Sequence, residues 1–122
     1  MNKCIFCELK NKGVFTNELC YVIYDKYAVS QGHMLVIPKR HTYDYFDLTS
    51  NEKNDIWNMV DIVKTFLDKE YKPDGYNIGI NNGKAAGQTI PHVHFHIIPR
   101  YNYDFKDPTG GVRGVIPDKM KY

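Results

Sequence analysis

The sequence is short of the features that mark most special classes of protein. Its 122 residues hold three cysteines and one tryptophan, and they contain no internal repeat, low-complexity stretch or linker-like run. Three cysteines are too few for the disulfide framework of a small secreted domain. An excess of one charge is also missing. Sixteen Lys and Arg against fourteen Asp and Glu leave a formal net charge of +2, which gives DNA, RNA or a membrane surface little to hold. No apolar run approaches the roughly 18 residues of a membrane span. The segment Met1-Asn2-Lys3-Cys4 lacks the apolar core of a signal peptide. The expectation is a cytoplasmic protein whose partner is neither nucleic acid nor a membrane. What is present is an ordinary globular composition, 43% hydrophobic and 25% charged, sufficient for one domain with its own core and too short for two.

The pattern along the chain predicts strands around one helix. Cys20 to Tyr24 reads as a strand ending at Asp25, and Gly32 to Ile37 as an apolar strand stopped by Pro38. Thr49-x-x-Glu52 is a capping box. Behind it Ile56, Met59, Val60, Val63, Phe66 and Leu67 recur at helical spacing, predicting an amphipathic helix from Ser50 to about Lys69. Pro73-Asp74-Gly75 is a turn, and Tyr76 to Asn81 is strand-like with Ile78 and Ile80 on one face. Gly83 to Gln88 is a loop of small residues, and His92 to Ile98 a last strand bracketed by Pro91 and Pro99. Strands, one helix and more strands on short connections argue for an α+β fold with an antiparallel sheet. The tail from Arg100 holds Gly110-Gly111-Val112-Arg113-Gly114-Val115-Ile116-Pro117. It is too glycine-rich for regular structure and too apolar for simple disorder, so it is expected to pack on its own domain or on a second copy.

The strongest chemical signal is His92-x-His94-x-His96, which five histidines scattered at random would seldom produce. In a strand the three imidazoles share one face at steps of about 7 Å, while Val93, Phe95 and Ile97 face the core. A solvated polar face explains the alternation but not the repeated choice of histidine. A single metal bound by all three requires a bulge, because the third residue stands about 13 Å from the first. Nucleophilic catalysis fits better. A neutral imidazole attacks well near pH 7, and neighbouring imidazoles supply proton chemistry for a phosphoryl leaving group. Gly87-Gln88-Thr89, with Asn81 and Gly83, places small residues and hydrogen-bond donors just ahead of the histidines, as a phosphate cradle requires. Cys4-x-x-Cys7 with His41 and one triad histidine has the composition of a closed structural zinc site, although a plain reduced thiol pair explains the cysteines equally well. Cys20, in its apolar setting, reads as a buried, inert thiol.

The run His92-Val93-His94-Phe95-His96-Ile97-Ile98 resembles the motif that names the histidine triad (HIT) superfamily. The resemblance extends to Cys4-Ile5-Phe6-Cys7, to Gly32 through His41, to Asn81-Asn82-Gly83 and to Ala86-Gly87-Gln88-Thr89. It implies a single domain over 1–122 with a five-stranded antiparallel sheet and one main helix, pairing as a homodimer through the helix and a strand. It implies substrates in which a nucleoside phosphate, with adenosine the expected nucleoside, is joined to an amine or a polyphosphate. Cleavage at the α-phosphate then passes through a nucleotidyl-histidine. Carried over by position, His94 is the nucleophile, His96 assists the leaving group, and Thr89 supplies the assisting hydroxyl. Asp25 meets the ribose, Asn81, Gly87 and Gln88 belong to the phosphate loop, and His33 stands near the reactive histidine. The resemblance also implies one structural zinc on Cys4, Cys7, His41 and His92. Histidine at position 96, where the hexose-phosphate uridylyltransferase branch has Gln, points to hydrolysis instead of transfer. Tyr27 departs from a frequent Pro, and the tail lacks the Trp-Pro-Pro-Gly ending of the phosphoramidase branch. Two other classes compete: a nucleotide-binding module without catalysis, and a zinc-dependent hydrolase that uses the histidine run as ligands.

Overall fold

Five short β-strands form one sheet in the computed structural model, which describes residues 4–122. They are β1 (Phe15–Thr16), β2 (Cys20–Tyr24), β3 (Met34–Pro38), β4 (Gly75–Ile80) and β5 (Phe95–Arg100), in the order β1-β2-β3-β5-β4 with every neighbouring pair antiparallel. A four-residue helix α1 (Ile5–Glu8) precedes them, and the main helix α2 (Ser50–Tyr71) joins β3 to β4. The domain is therefore α+β, as the pattern predicts.

Alternation divides the sheet into two working faces. On one, Val22, Met34, Val36, Phe95 and Ile97 pack against Ile56, Met59, Val60, Val63 and Leu67 of α2, each core side chain contributing roughly 1.5–3 kcal/mol by leaving water. The other face carries Tyr21, Leu35 and Ile37 under Phe6 of α1, and it carries the site. Tyr21 fastens α1 there by donating its hydroxyl proton to the Phe6 carbonyl.

The start of α2 is built as its sequence predicts. Thr49 Oγ1 accepts from the Glu52 amide at 3.1 Å, and Glu52 Oε1 accepts from the Thr49 amide at 2.8 Å. Glu52 also takes two hydrogen bonds from Arg40, at 3.0 and 2.8 Å, which ties the segment before His41 to the helix. The helix runs two residues past Lys69 and ends where Lys72 turns left-handed (φ 51°) ahead of Pro73.

Strand ends differ from expectation in three strands. Gly32 lies in a turn with φ 88°, so β3 begins at Met34, and Pro38 is its last residue instead of the stop before it. β4 occupies Gly75–Ile80, one residue earlier than predicted. β5 begins at Phe95, not His92, because the Val93 amide donates to the Thr42 carbonyl at 2.7 Å and the His92 amide to Ile90 at 2.8 Å, outside the ladder. β5 also continues through Pro99. Pro99 pairs with Tyr76 of β4, while β3 pairs only as far as Ile97 and Ser30 Oγ donates to the Pro99 carbonyl at 2.6 Å, so the missing Pro99 N–H costs no ladder bond to β3. The Gly83–Gln88 loop contains a 3₁₀ turn at Lys84–Ala86, and the tail two more at Gly111–Val115 and Pro117–Lys119. Among the described residues no helix is long and apolar enough to cross a membrane.

Candidate active site

Residues from five separate segments meet on the sheet face opposite α2. A cleft of about 740 Å³ has an apolar end formed by Ile5, Phe6, Leu9, Ile23 and Leu35. Its polar end is formed by Asn81, Gly87, Gln88, Thr89, His94 and His96, and Asp25 also lines it. Every catalytic or nucleotide-binding candidate lines this cleft except His33, which lies buried behind it.

The triad divides into different environments. His92 is fully buried and turned away from the cleft. Its Nε2 lies 2.7 Å from the Pro38 carbonyl, which can only accept, so Nε2 carries the proton and the Nδ1 lone pair faces the cysteines. His94 repeats the logic one step on: Nδ1 lies 2.9 Å from the His92 carbonyl and donates to it, leaving the Nε2 lone pair for the cleft. Phe6, between the two cysteines in sequence, packs edge-on against both rings, 5.9 Å from His92 and 5.0 Å from His94.

His96 is set from the other side. The Val29 amide donates to His33 Nδ1 at 3.1 Å, so His33 holds its proton on Nε2, 3.0 Å from His96 Nδ1 and 3.3 Å from Asp25 Oδ2. His96 Nδ1 is thereby an acceptor, and its own proton sits on Nε2. Burial, then His94 and His33 beside it, lower His96 to about 4, so the ring is a neutral hydrogen-bond donor at physiological pH. Burial likewise lowers His33, against the opposing effect of Asp25. Spacing alone does not reveal this Asp25–His33–His96 group, whose members are 8 and 63 residues apart; the family resemblance is what placed His33 near the reactive histidine.

The Gly83–Gln88 loop, the candidate phosphate cradle, is more tightly bound to itself than its composition implies. The Gln88 side chain accepts from the Gly83 amide at 2.7 Å and donates to the Tyr43 and Ile90 carbonyls at 3.0 and 3.1 Å. The amides of Gly87 and Gln88 also bond within the loop. Gln88 is thus the brace of the cradle. What faces the cleft is the exposed Thr89, with Asn81 and the left-handed Gly87 (φ 94°), whose Cβ position meets nothing within 4 Å.

Cys4, Cys7, His41 and His92 come together beside this site, with their ligand atoms within 4.8 Å of one another. His92 Nδ1 lies 3.4 and 3.6 Å from the two thiols, and His41 Nδ1 lies 3.3 Å from Cys7. A tetrahedral zinc site has sulfur–nitrogen edges of about 3.6 Å, so the donor set fits the metal. The Pro38 carbonyl holds the His92 ring as an outer partner would hold a candidate metal ligand. His94 and His96 are outside this set. Cys20 is buried with its thiol pushed up by burial and by Asp55, in keeping with an inert role.

Residues 7–103 match the HIT domain family. The chain is 40% identical over 93 residues to a bis(5'-adenosyl)-triphosphatase of Dictyostelium discoideum, covering 76% of this chain and 62% of that one. It is 46% identical over 76 residues to the asymmetrical bis(5'-nucleosyl)-tetraphosphatase of Schizosaccharomyces pombe, covering 62% of this chain and 42% of that one. It thus spans less than two thirds of either relative. Among solved structures, a zinc-bound histidine triad family protein from Mycobacterium smegmatis superposes with a TM-score of 0.77 at 33% identity, over 87% of this chain and 84% of that one.

Proposed function

Because the chain belongs to the HIT domain family, we propose that it is a nucleotide hydrolase that opens dinucleoside polyphosphates, and by the same chemistry nucleoside phosphoramidates, at the α-phosphate. The observation that carries this reading is the fixed tautomer of His94: its Nδ1 proton is held by the His92 carbonyl, and the nucleophilic nitrogen is left for the cleft. The apolar end suits a nucleobase, Asp25 the ribose hydroxyls, and Asn81, Thr89 and His96 the phosphate oxygens. The name of the Dictyostelium discoideum relative supports an adenosine-containing dinucleotide as substrate, and that of the Schizosaccharomyces pombe relative a dinucleoside polyphosphate.

His94 Nε2 attacks phosphorus as the bond to the leaving group breaks, giving a nucleotidyl-His94. Thr89 and the Nε2 proton of His96 hydrogen-bond to the developing charge, and His33 keeps that proton on the correct nitrogen. Water then displaces His94 and releases the nucleoside monophosphate. Cys4, Cys7, His41 and His92 would hold a zinc ion, which would supply a structural cross-link between α1, the segment after β3 and the approach to β5. That cluster takes in His92 alone of the triad, which speaks against a metal shared by all three. A homodimer, as the family resemblance implies, accompanies this reading.

The test is acid-quenched turnover with adenosine-labelled diadenosine triphosphate. Wild-type protein should retain label covalently. His94→Ala should retain none and lose turnover by about a thousandfold or more, while still binding nucleotide. A His94 variant with near-normal turnover would overturn covalent catalysis, and binding with no turnover in the wild type would leave a nucleotide-binding module.

A further inference from the structure

The chain has a single Asn-Gly pair, Asn82-Gly83, and the fold demands both residues. Gly83 opens the loop after β4 with φ 92°, a conformation that residues with a Cβ rarely adopt. Asn82 joins that loop to the segment after β3. Its Oδ1 accepts from the Tyr45 amide at 2.8 Å, and its Nδ2 donates to Asp44 Oδ1 at 3.0 Å. An ionised aspartate could accept there but not donate. Asn-Gly is also the dipeptide most prone to spontaneous deamidation, because glycine leaves its own amide nitrogen unhindered. We propose that Asn82 is a latent modification site with water as co-reactant, held closed in the folded protein by its hydrogen bonds and by those of Gln88. The site is independent of the nucleotide chemistry proposed above.

Deamidation starts when the Gly83 nitrogen loses its proton to hydroxide and attacks Asn82 Cγ. The new nitrogen–carbon bond forms, the carbon–Nδ2 bond breaks, and Nδ2 leaves as ammonia with a proton from water. A second water opens the succinimide at either carbonyl, giving aspartate or isoaspartate. Each reacting group is tied down in the folded chain. The Gly83 N–H donates to Gln88 Oε1 at 2.7 Å, so its proton is not presented to solvent. The Gly83 carbonyl accepts from the Ala86 and Gln88 amides, both at 3.1 Å. The Asn82 carboxamide is held at both ends, which keeps it from turning toward the nitrogen. Gln88 is itself buried and anchored, donating to the Tyr43 and Ile90 carbonyls at 3.0 and 3.1 Å. Attack therefore waits for a local opening that breaks these bonds.

The position makes conversion damaging. Aspartate at 82 would set a second carboxylate against Asp44 where a 3.0 Å hydrogen bond now stands. Isoaspartate would add a methylene to the backbone between Asn81 and Gly83, and Asn81 lines the cleft with His94 and His96. Either product puts a new negative charge beside that cleft and loosens the loop from Asp44.

The experiment follows conversion of Asn82 by peptide mapping and mass spectrometry at mildly alkaline pH. Native wild type, wild type unfolded in urea, Gln88→Leu and Asp44→Ala are compared. Native wild type should convert about fiftyfold or more slowly than the unfolded chain, since several hydrogen bonds must break first. Gln88→Leu should recover about tenfold or more of that difference, and Asp44→Ala about threefold. Hydrogen exchange at the Gly83 amide should quicken in Gln88→Leu as well, because the same opening frees it. Native wild type converting within about threefold of the unfolded chain overturns the proposal, and so does a folded Gln88→Leu as slow as wild type. If Gln88→Leu does not fold, Asp44→Ala decides, and a rate unchanged from wild type there overturns it. None of these rates depends on turnover, so a wild type without hydrolase activity would sink the functional reading and leave this one standing.

Discussion

His94 and His96 hold their protons on opposite nitrogens, and in each case a neighbour decides which. A carbonyl fixes His94, and a backbone amide acting through His33 fixes His96. The triad spacing makes the first arrangement legible, since His92 and His94 must be adjacent. The second has no spacing signal, because it runs through Val29, His33 and Asp25, and only the family resemblance placed His33 near the reactive histidine. Asp25 holds two positions at once: Oδ1 accepts from the Tyr27 amide at 2.8 Å, and Oδ2 faces His33 and, at 3.8 Å, His96. Ribose contacts made equally in ground and transition states alter binding and not the chemical step. Asp25→Ala should therefore raise KM by about tenfold and change kcat by only a few-fold in steady-state assays. A large kcat loss at constant KM would show that Asp25 acts through the histidine pair instead.

Among the elements, α2 and β2 were readable because each is locally consistent. α2 has a capping box and a 3.6-residue apolar stripe, and β2 falls at its predicted ends. α1 and β1, with four and two residues, have no periodicity to read and exist because tertiary partners hold them. The Tyr21 hydroxyl and the Cys4/Cys7 cluster fix α1, and the Val14 amide bonded to Val22 at 2.7 Å helps fix β1. The Cys-x-x-Cys spacing was visible, but its partner His92 could come only from the family resemblance, since a regular strand would have turned His92 toward the cleft. Protein purified without added zinc should carry about one equivalent per chain by metal analysis. Cys7→Ser should lose that metal and lower Tm by several degrees, because α1 and the residues before β5 lose their link. Metal-free protein with an unchanged Tm would show that the four residues are no structural centre.

For the molecule as a whole, placing two neutral imidazoles under a folded sheet face makes stability depend on pH. His33 is buried and lowered, and His96 is lowered to about 4; around the pair stand Asp25, His94 and the Val29 amide. In the unfolded chain both titrate near 6.5. Between that value and the folded ones the unfolded state binds more protons, so stability falls as pH falls. His96 contributes its full share above about 6.5, and that share is lost progressively down to about 4. In zinc-loaded protein, acid release of the metal from Cys4, Cys7, His41 and His92 would act in the same direction, so the slope of the wild type alone does not isolate these two rings. Urea midpoints of wild type and His33→Gln, measured from pH 7.5 to 4.5, separate the contributions, because a glutamine side chain has nothing to titrate while Cys4, Cys7, His41 and His92 are unchanged. The variant should be less stable at pH 7.5 but should lose less on acidification, so that the two curves converge toward pH 4.5. Parallel curves would mean that His33 carries no proton linkage and that the acid sensitivity belongs to His96 and to the Cys4, Cys7, His41 and His92 cluster.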